Sequence, residues 1–211
     1  MNIQIFPWTF VSFALLSSHA RAGAILSDDF NYTNGVLQTV SSGKWAGHSG
    51  TTNQVDISNG ALNLNGSESQ DVSALLAGQP FATTNGLALY VGFDLRITAL
   101  PSGTGSYFAH FKDAGAGFRG RIWALTNGAG PGSFRLGIGS GSGTAPTVVH
   151  STDLKTDADY RIVCRLALSN SVAALWVDPG SETDDRVSSV ASSGIAVSAF
   201  AFRQASGIGT L

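Results

Sequence analysis

Few residues in this sequence can do covalent chemistry. Its glutamates are Glu68 and Glu182, far apart in the chain. A retaining glycosidase needs two carboxyl groups about 5–5.5 Å apart, and no alternating segment carries an acidic pair on one face. Asp28 and Asp29 are adjacent, so on a strand they point to opposite faces. Glu182, Asp184 and Asp185 cluster after Trp176-Val177-Asp178-Pro179, where a solvated turn is the simplest reading. There is no Gly-x-Ser-x-Gly elbow for a serine nucleophile. Gly137-x-Gly139-x-Gly141-x-Gly143 is not followed by a helix whose N-terminus could hold phosphate, and reads as a loop. His48, His110 and His150 are isolated, whereas zinc needs three or four ligands brought together. Asp153, Asp157 and Asp159 have the wrong offsets for an EF-hand. Cys164 lies on an apolar face and reads as a small core residue.

Non-covalent recognition has better candidates. The segment Phe118–Thr126 carries Arg119, Arg121 and Trp123 at alternate positions, and Tyr90, Asp94 and Arg96 share the polar face of another alternating segment. An aromatic ring can stack on the apolar face of a sugar while planar polar groups fork onto its hydroxyls. These six residues form the candidate ligand-binding set, on the condition that their two strands are neighbours. The competing reading makes Trp123 and Trp176 core residues and pairs the arginines with acids.

The elements that must position these residues are strands. Leu87, Leu89, Val91, Phe93, Leu95 and Ile97 fall on one face of a period-two pattern. Tyr160, Ile162, Cys164, Leu166 and Leu168 repeat it. Shorter candidates are Asp28–Tyr32, Gln54–Ser58, Ala61–Asn65, Ser106–Asp113, Phe118–Thr126, Phe134–Gly139, Thr147–Ser151, Val172–Asp178 and Ala199–Gln204. Asn34-Gly35, Asn59-Gly60, Asn127-Gly128 and Asp178-Pro179-Gly180 punctuate them as turns, and Asn59-Gly60 is the clearest hairpin. Only Asp71–Leu76 and Asp153–Asp157 suggest a helical turn. About a dozen strands in one unit favour an all-β, two-sheet antiparallel jelly-roll sandwich. Leu89, Val91, Phe93, Leu95, Ile162, Cys164, Leu166, Leu175 and Val177 are the expected core.

Composition agrees with a single glycine-punctuated domain. The chain has 211 residues, 26 of them glycine, against the roughly 15 that average usage gives. Charged residues make up 12%, about half the usual share. A net charge of −2 argues against a nucleic-acid partner, which needs clustered basic residues. The N-terminus reads as a signal peptide over residues 1–22. Phe10–Leu16 is its apolar run, and Ala20 and Ala22 form a small-x-small site for cleavage before Gly23; Ala22 and Ala24 offer a second frame. The alternative is a buried hydrophobic strand. Residues 23–211 form the sandwich domain, with no membrane span expected after cleavage.

Several segments together resemble the concanavalin A-like, laminin-G-like sandwich modules of secreted bacterial proteins. These are Asp28-Asp29-Phe30-Asn31-Tyr32 with Asn34-Gly35-Val36-Leu37, Trp45 with His48-Ser49-Gly50, Gln54-Val55 with Leu62-Asn63-Leu64, Phe118-Arg119-Gly120-Arg121-Ile122, and Leu175-Trp176-Val177-Asp178-Pro179. The resemblance implies a secreted or cell-surface, non-catalytic module that binds a polysaccharide or cell-surface glycan. Its alternatives are a glycan hydrolase or lyase of the same fold, and a structural or adhesion protein without a small ligand. It implies no cofactor except Ca²⁺, for which Asp178, Glu182, Asp184 and Asp185 supply hard oxygens. Similar modules close with a further strand beside the opening one, so the resemblance also implies that the chain ends before its closing C-terminal strand.

Overall fold

A computed structural model describes residues 3–8 and 23–211. Its strands are β1 (Ile3–Trp8), β2 (Leu26–Asp28), β3 (Gly35–Val36), β4 (Ala46–Ser49), β5 (Asp56–Ser58), β6 (Ala61–Asn63), β7 (Asp71–Leu75), β8 (Ala88–Arg96), β9 (Ser106–Lys112), β10 (Phe118–Leu125), β11 (Ser133–Gly139), β12 (Val148–Val149), β13 (Leu154–Lys155), β14 (Asp159–Ala167), β15 (Ala173–Val177), β16 (Val187–Ser188) and β17 (Ala199–Arg203). They form a six-stranded sheet in the order β16-β15-β14-β8-β1-β2 and an eight-stranded sheet in the order β12-β11-β10-β9-β17-β7-β4, with β13 paired to β11. A small sheet, β3-β5-β6, flanks them. Every pairing is antiparallel.

The two long alternating segments are β8 and β14, paired in register from Asp159–Arg96 to Ala167–Ala88. Their apolar faces meet the large sheet: the Phe93 ring lies 6.2 Å from Phe108 and 6.0 Å from Phe202, both edge-on. Of the expected core residues, all are buried except Val177, which is partly buried. Cys164 is fully buried, and burial pushes its thiol up to about 12. The Asn59-Gly60 turn joins β5 to β6, with φ of 52° and 71°. Left-handed values at both central residues suit the twist of a two-residue hairpin.

Three local expectations are corrected. Asp71–Leu76 and Asp153–Asp157 are not helical: they supply β7 and β13, because pairing with β17 and β11 satisfies their backbone where a single helical turn would not. Among the described residues, the one α-helical turn is Leu37–Val40. The opening strand also ends earlier than expected, at Asp28, because Phe30 takes a left-handed φ of 54°.

A buried carboxylate holds that kink. Asp28 Oδ1 accepts the Phe30 amide at 2.8 Å. Its Oδ2 accepts the Tyr32 hydroxyl and Trp45 Nε1, each at 2.8 Å, and lies 3.0 Å from Lys44 Nζ. Burial alone would raise the Asp28 pKa, but these hydrogen bonds outweigh it and hold the carboxyl below its ordinary value. The kink seats the Phe30 ring 5.5 Å from Trp45, offsetting the roughly 1–2 kcal/mol cost of a left-handed bulky residue. The Asp28-to-Tyr32 motif and Trp45 are therefore an anchor for the sandwich rather than a ligand site.

At the N-terminus, Phe10–Leu16 and the Ala20–Ala22 cleavage motif lie outside the described residues. Ile3–Trp8 form β1, inserted between β8 and β2 with Ile3 and Ile5 fully buried. That is the strand alternative for these six residues. Among the described residues, no helix is long and apolar enough to cross a membrane.

Candidate functional site

The six candidate ligand-binding residues do not share a surface. Tyr90, Asp94 and Arg96 lie on β8, in the six-stranded sheet, whereas Arg119, Arg121 and Trp123 lie on β10, in the other. The β8 neighbours are β14 and β1, so the two sets sit on opposite sheets. On β8 each side chain is engaged locally. Arg96 makes a two-pronged pair with Asp159 at 2.8 and 2.6 Å. Asp94 pairs with Arg161 at 3.2 Å, and the Tyr90 hydroxyl donates to Glu182 at 2.5 Å. Gly92 makes room for the Arg161 guanidinium, which lies 2.7 Å from where a Cβ would stand.

The four acidic residues after β15 are also dispersed. Asp178 accepts the Arg161 amide, Glu182 accepts from Tyr90, and Asp184 takes the Gly180 and Ser181 amides within its own turn. Asp185 is exposed. Among the described residues no three His, Cys, Asp or Glu side chains converge on a metal position. This set therefore does not fit a calcium ion as one chelating group.

The outer face of the eight-stranded sheet gathers a different set. Two irregularities in the β9–β10 pairing create it. On β9, Phe108 and Ala109 both turn into the core, so Tyr107 and His110 share the outer face although three positions apart. On β10, Gly120 adopts φ 57°, and a Cβ there would meet Phe111, Ala173 and Cys164 in the core. The resulting bulge leaves Phe118 and Arg121 outside. It also sends Arg119 to Ser193, whose carbonyl and hydroxyl it reaches at 2.8 and 2.9 Å. Arg119 therefore leaves the row that simple alternation assigns to it.

Across this face, Trp123 and Tyr107 stand opposite each other with ring centroids 5.4 Å apart. Arg121 lies 5.1 Å from the Tyr107 centroid and 5.8 Å from that of Trp123; Arg203 lies 4.3 Å above Tyr107. Beside this row, the His110 ring is 4.3 Å from Phe118, 5.5 Å from Tyr107 and 6.1 Å from His48. Ala201 pairs with both His110 and Ser73, giving a floor of small residues. At one end an open groove of about 400 Å³ is lined by Ser49, Ser67, Glu68, Ser69, Asp71 and Arg203. Several buried atoms of the cluster have no hydrogen-bond partner among the described residues: Trp123 Nε1, Arg121 Nε, and both ring nitrogens of His48 and His110.

The electrostatics follow from burial. Among the described residues, Asp71 is the only carboxylate that the strands of this sheet contribute. Burial raises its pKa against the opposing hydrogen bond from Ser49 and the charge of Arg203. Lys112, Arg121 and Arg203 give the face an excess of positive charge. Burial, helped by Lys112, brings His48 down to about 4. Burial and then the charges of His48, Arg203, Arg121 and Lys112 lower His110 strongly. In the unfolded chain both histidines take up a proton below about pH 6.5, while in the fold they stay neutral well below it. The unfolded state then binds more protons, so stability falls with acidification from about pH 6.5. We expect the urea midpoint to drop between pH 7 and pH 5, and His110→Phe to flatten that slope. A midpoint that does not move over this range would contradict the assignment.

No family model matches the chain, and no curated protein matches its sequence. Similar folds occur among solved structures. A sialidase aligns over 85% of this chain at 16% identity with a TM-score of 0.53. The fold is a concanavalin A-like β-sandwich. The sandwich spans 15% of that sialidase's length. More distant likenesses are the potassium-bound carbohydrate recognition domain of Emp46p (TM-score 0.43, 11% identity, 87% of this chain and 93% of that one) and basic winged bean lectin with Tn-antigen (0.40, 14%, 78% and 83%).

Proposed function

We propose that this sandwich is a secreted or cell-surface module that binds glycans without cleaving them, through the outer face of its eight-stranded sheet. The observation that carries the reading is the row Trp123–Tyr107–Arg203 with Arg121 beside it. Tyr107 and Arg203, both partly exposed, offer a stacking surface to a sugar's apolar face and a guanidinium fork to its hydroxyls, with Trp123 and Arg121 buried behind them, and the groove beside Asp71 supplies further hydroxyl and carboxylate partners. The positive excess of Lys112, Arg121 and Arg203 favours saccharides that bear carboxylate or sulfate groups.

A second reading, hydrolysis, draws on the same groove. Glu68 and Asp71 both line it, and a carboxyl with a raised pKa is what a general acid needs. Against it, Asp71 Oδ2 is held by the Ser49 hydroxyl at 2.8 Å and Oδ1 is buried. Neither oxygen is free to meet a glycosidic oxygen.

A glycan array probed with purified protein, with and without Ca²⁺, tests the reading. Binding to a subset of glycans is expected, stronger for acidic ones, and unchanged by chelation because the acidic set after β15 does not converge. Silence at high protein concentration would favour a structural or adhesion protein. Polysaccharide cleavage that Asp71→Asn or Glu68→Gln abolishes would establish the hydrolase instead. Export is tested separately. Exported material should begin at Gly23 or Ile25, and a mature N-terminus at Met1 would contradict it.

A further inference from the structure

We propose that the groove beside Asp71 selects an uncharged sugar unit, that Glu68 sets this choice, and that the ligand is therefore a saccharide in which a neutral unit adjoins an acidic one. The proposal rests on the glycan-binding reading and divides that face into two subsites. The groove is open and lies between the backbone stretches 49–50, 66–69 and 203–206. Close backbone approach fixes all three. Gly50 has φ 75°, and a Cβ there would collide with the Ser69 carbonyl. Gly66 donates its amide to the Gly209 carbonyl at 2.8 Å, and a Cβ on it would lie 2.9 Å from that oxygen. Buried Gln204 ties the third wall: its amide donates to the Gln70 carbonyl at 3.1 Å, and its Oε1 accepts the Asn65 amide at 2.8 Å. A groove held this way needs little ordering when a ligand enters.

The two carboxylates of the groove are not equivalent. Asp71 is engaged: its Oδ2 accepts the Ser49 hydroxyl at 2.8 Å and lies 3.8 Å from Arg203 Nε. Glu68 lines the same groove and is partly buried, and its carboxylate has neither a hydrogen bond nor an ion pair among the described residues. With Asp71 set against Arg203, Glu68 leaves the groove negative, whereas Lys112 and Arg121 make the adjoining aromatic row positive. The sign of the charge therefore changes along the face at Arg203.

An uncommitted carboxylate accepts hydrogen bonds from two adjacent hydroxyls of one sugar ring, one on each oxygen. It repels a carboxylate or sulfate group brought into the same groove. The acidic unit then sits at Tyr107 and Arg203, and its neighbour in the groove must be neutral. Saccharides charged on every unit bring like charge to Glu68 and are selected against.

Two matched pairs of tetrasaccharides, added to the glycan array, test this. One pair is galacturonan with all carboxyl groups free and the same chain with alternate groups methyl-esterified. The other is chondroitin 4-sulfate and unsulfated chondroitin. In each pair one member is charged on every unit and the other on alternate units. The unaltered protein should bind the alternately charged member of at least one pair about tenfold more tightly than its fully charged counterpart. Glu68→Gln removes a charge and no internal bond, and should erase that preference by gaining affinity for the fully charged member. Salt at about 1 M should shrink the preference of the unaltered protein as well. A preference that Glu68→Gln leaves unchanged, or binding that favours the fully charged members, overturns the proposal and leaves the glycan-binding reading standing. No binding to any of the four also overturns it; if other glycans on the array still bind, the broader reading stands, and if the whole array is silent, both fall.

Discussion

Replacing Phe93 with alanine is expected to remove about 3–5 kcal/mol of stability. Phe93 is fully buried at the centre of β8, opposite Ile162 on β14 and edge-on to Phe108 and Phe202 across the sandwich. It therefore joins the two sheets, and its truncation leaves a cavity bounded by rings whose backbones are fixed in both. Chemical denaturation at neutral pH measures the loss. A value below about 1 kcal/mol would mean that the site collapses freely and that Phe93 is no link between the sheets.

Asp28→Ala should cost a similar amount, about 3–5 kcal/mol, by a different route. The substitution leaves Trp45 Nε1 and the Tyr32 hydroxyl without their acceptor and removes the bond that stabilises the left-handed Phe30. Asp28→Asn should cost less, because its amide oxygen still accepts. The unaltered protein and Asp28→Ala also separate in acid. The folded Asp28 pKa is below its unfolded value of about 3.8, so its contribution is present above that value and lost as pH falls through the lower folded one. The unaltered protein should lose this part of its stability below about pH 4, and Asp28→Ala should not. Identical acid unfolding of the two would contradict the role given to this carboxylate.

The buried faces of β8 and β14 were legible because each keeps strict alternation over nine residues. The Asn59-Gly60 hairpin was legible because its two residues tolerate positive φ. The outer face of the eight-stranded sheet was less so. Tyr107 and His110, and likewise Phe118 and Arg121, share a side only because a bulge inserts a residue between them. A reader of alternation assigns such pairs to opposite faces. Arg121 and Trp123, which follow Gly120, keep the outer side that alternation gives them, whereas Arg119, which precedes it, turns to Ser193. Gly120, within a strand of otherwise large residues, was the available signal for that bulge. Pairing Tyr90 with Trp123 failed for another reason: each strand alternates in the same way whichever sheet it joins, so alternation carries no record of neighbours. The strands β7 and β13 were missed because two to five residues are too few to establish a period.

Saccharides are expected to bind on the outer face of the eight-stranded sheet, at Tyr107, and not on the face that carries Tyr90. Calorimetric titration with the glycan that binds best on the array, comparing the unaltered protein with Tyr107→Ala and Tyr90→Ala, tests it most directly. At least a tenfold loss of affinity, about 1.4 kcal/mol, is expected for Tyr107→Ala and no change for Tyr90→Ala. Unchanged affinity in Tyr107→Ala, or a loss in Tyr90→Ala alone, would contradict it.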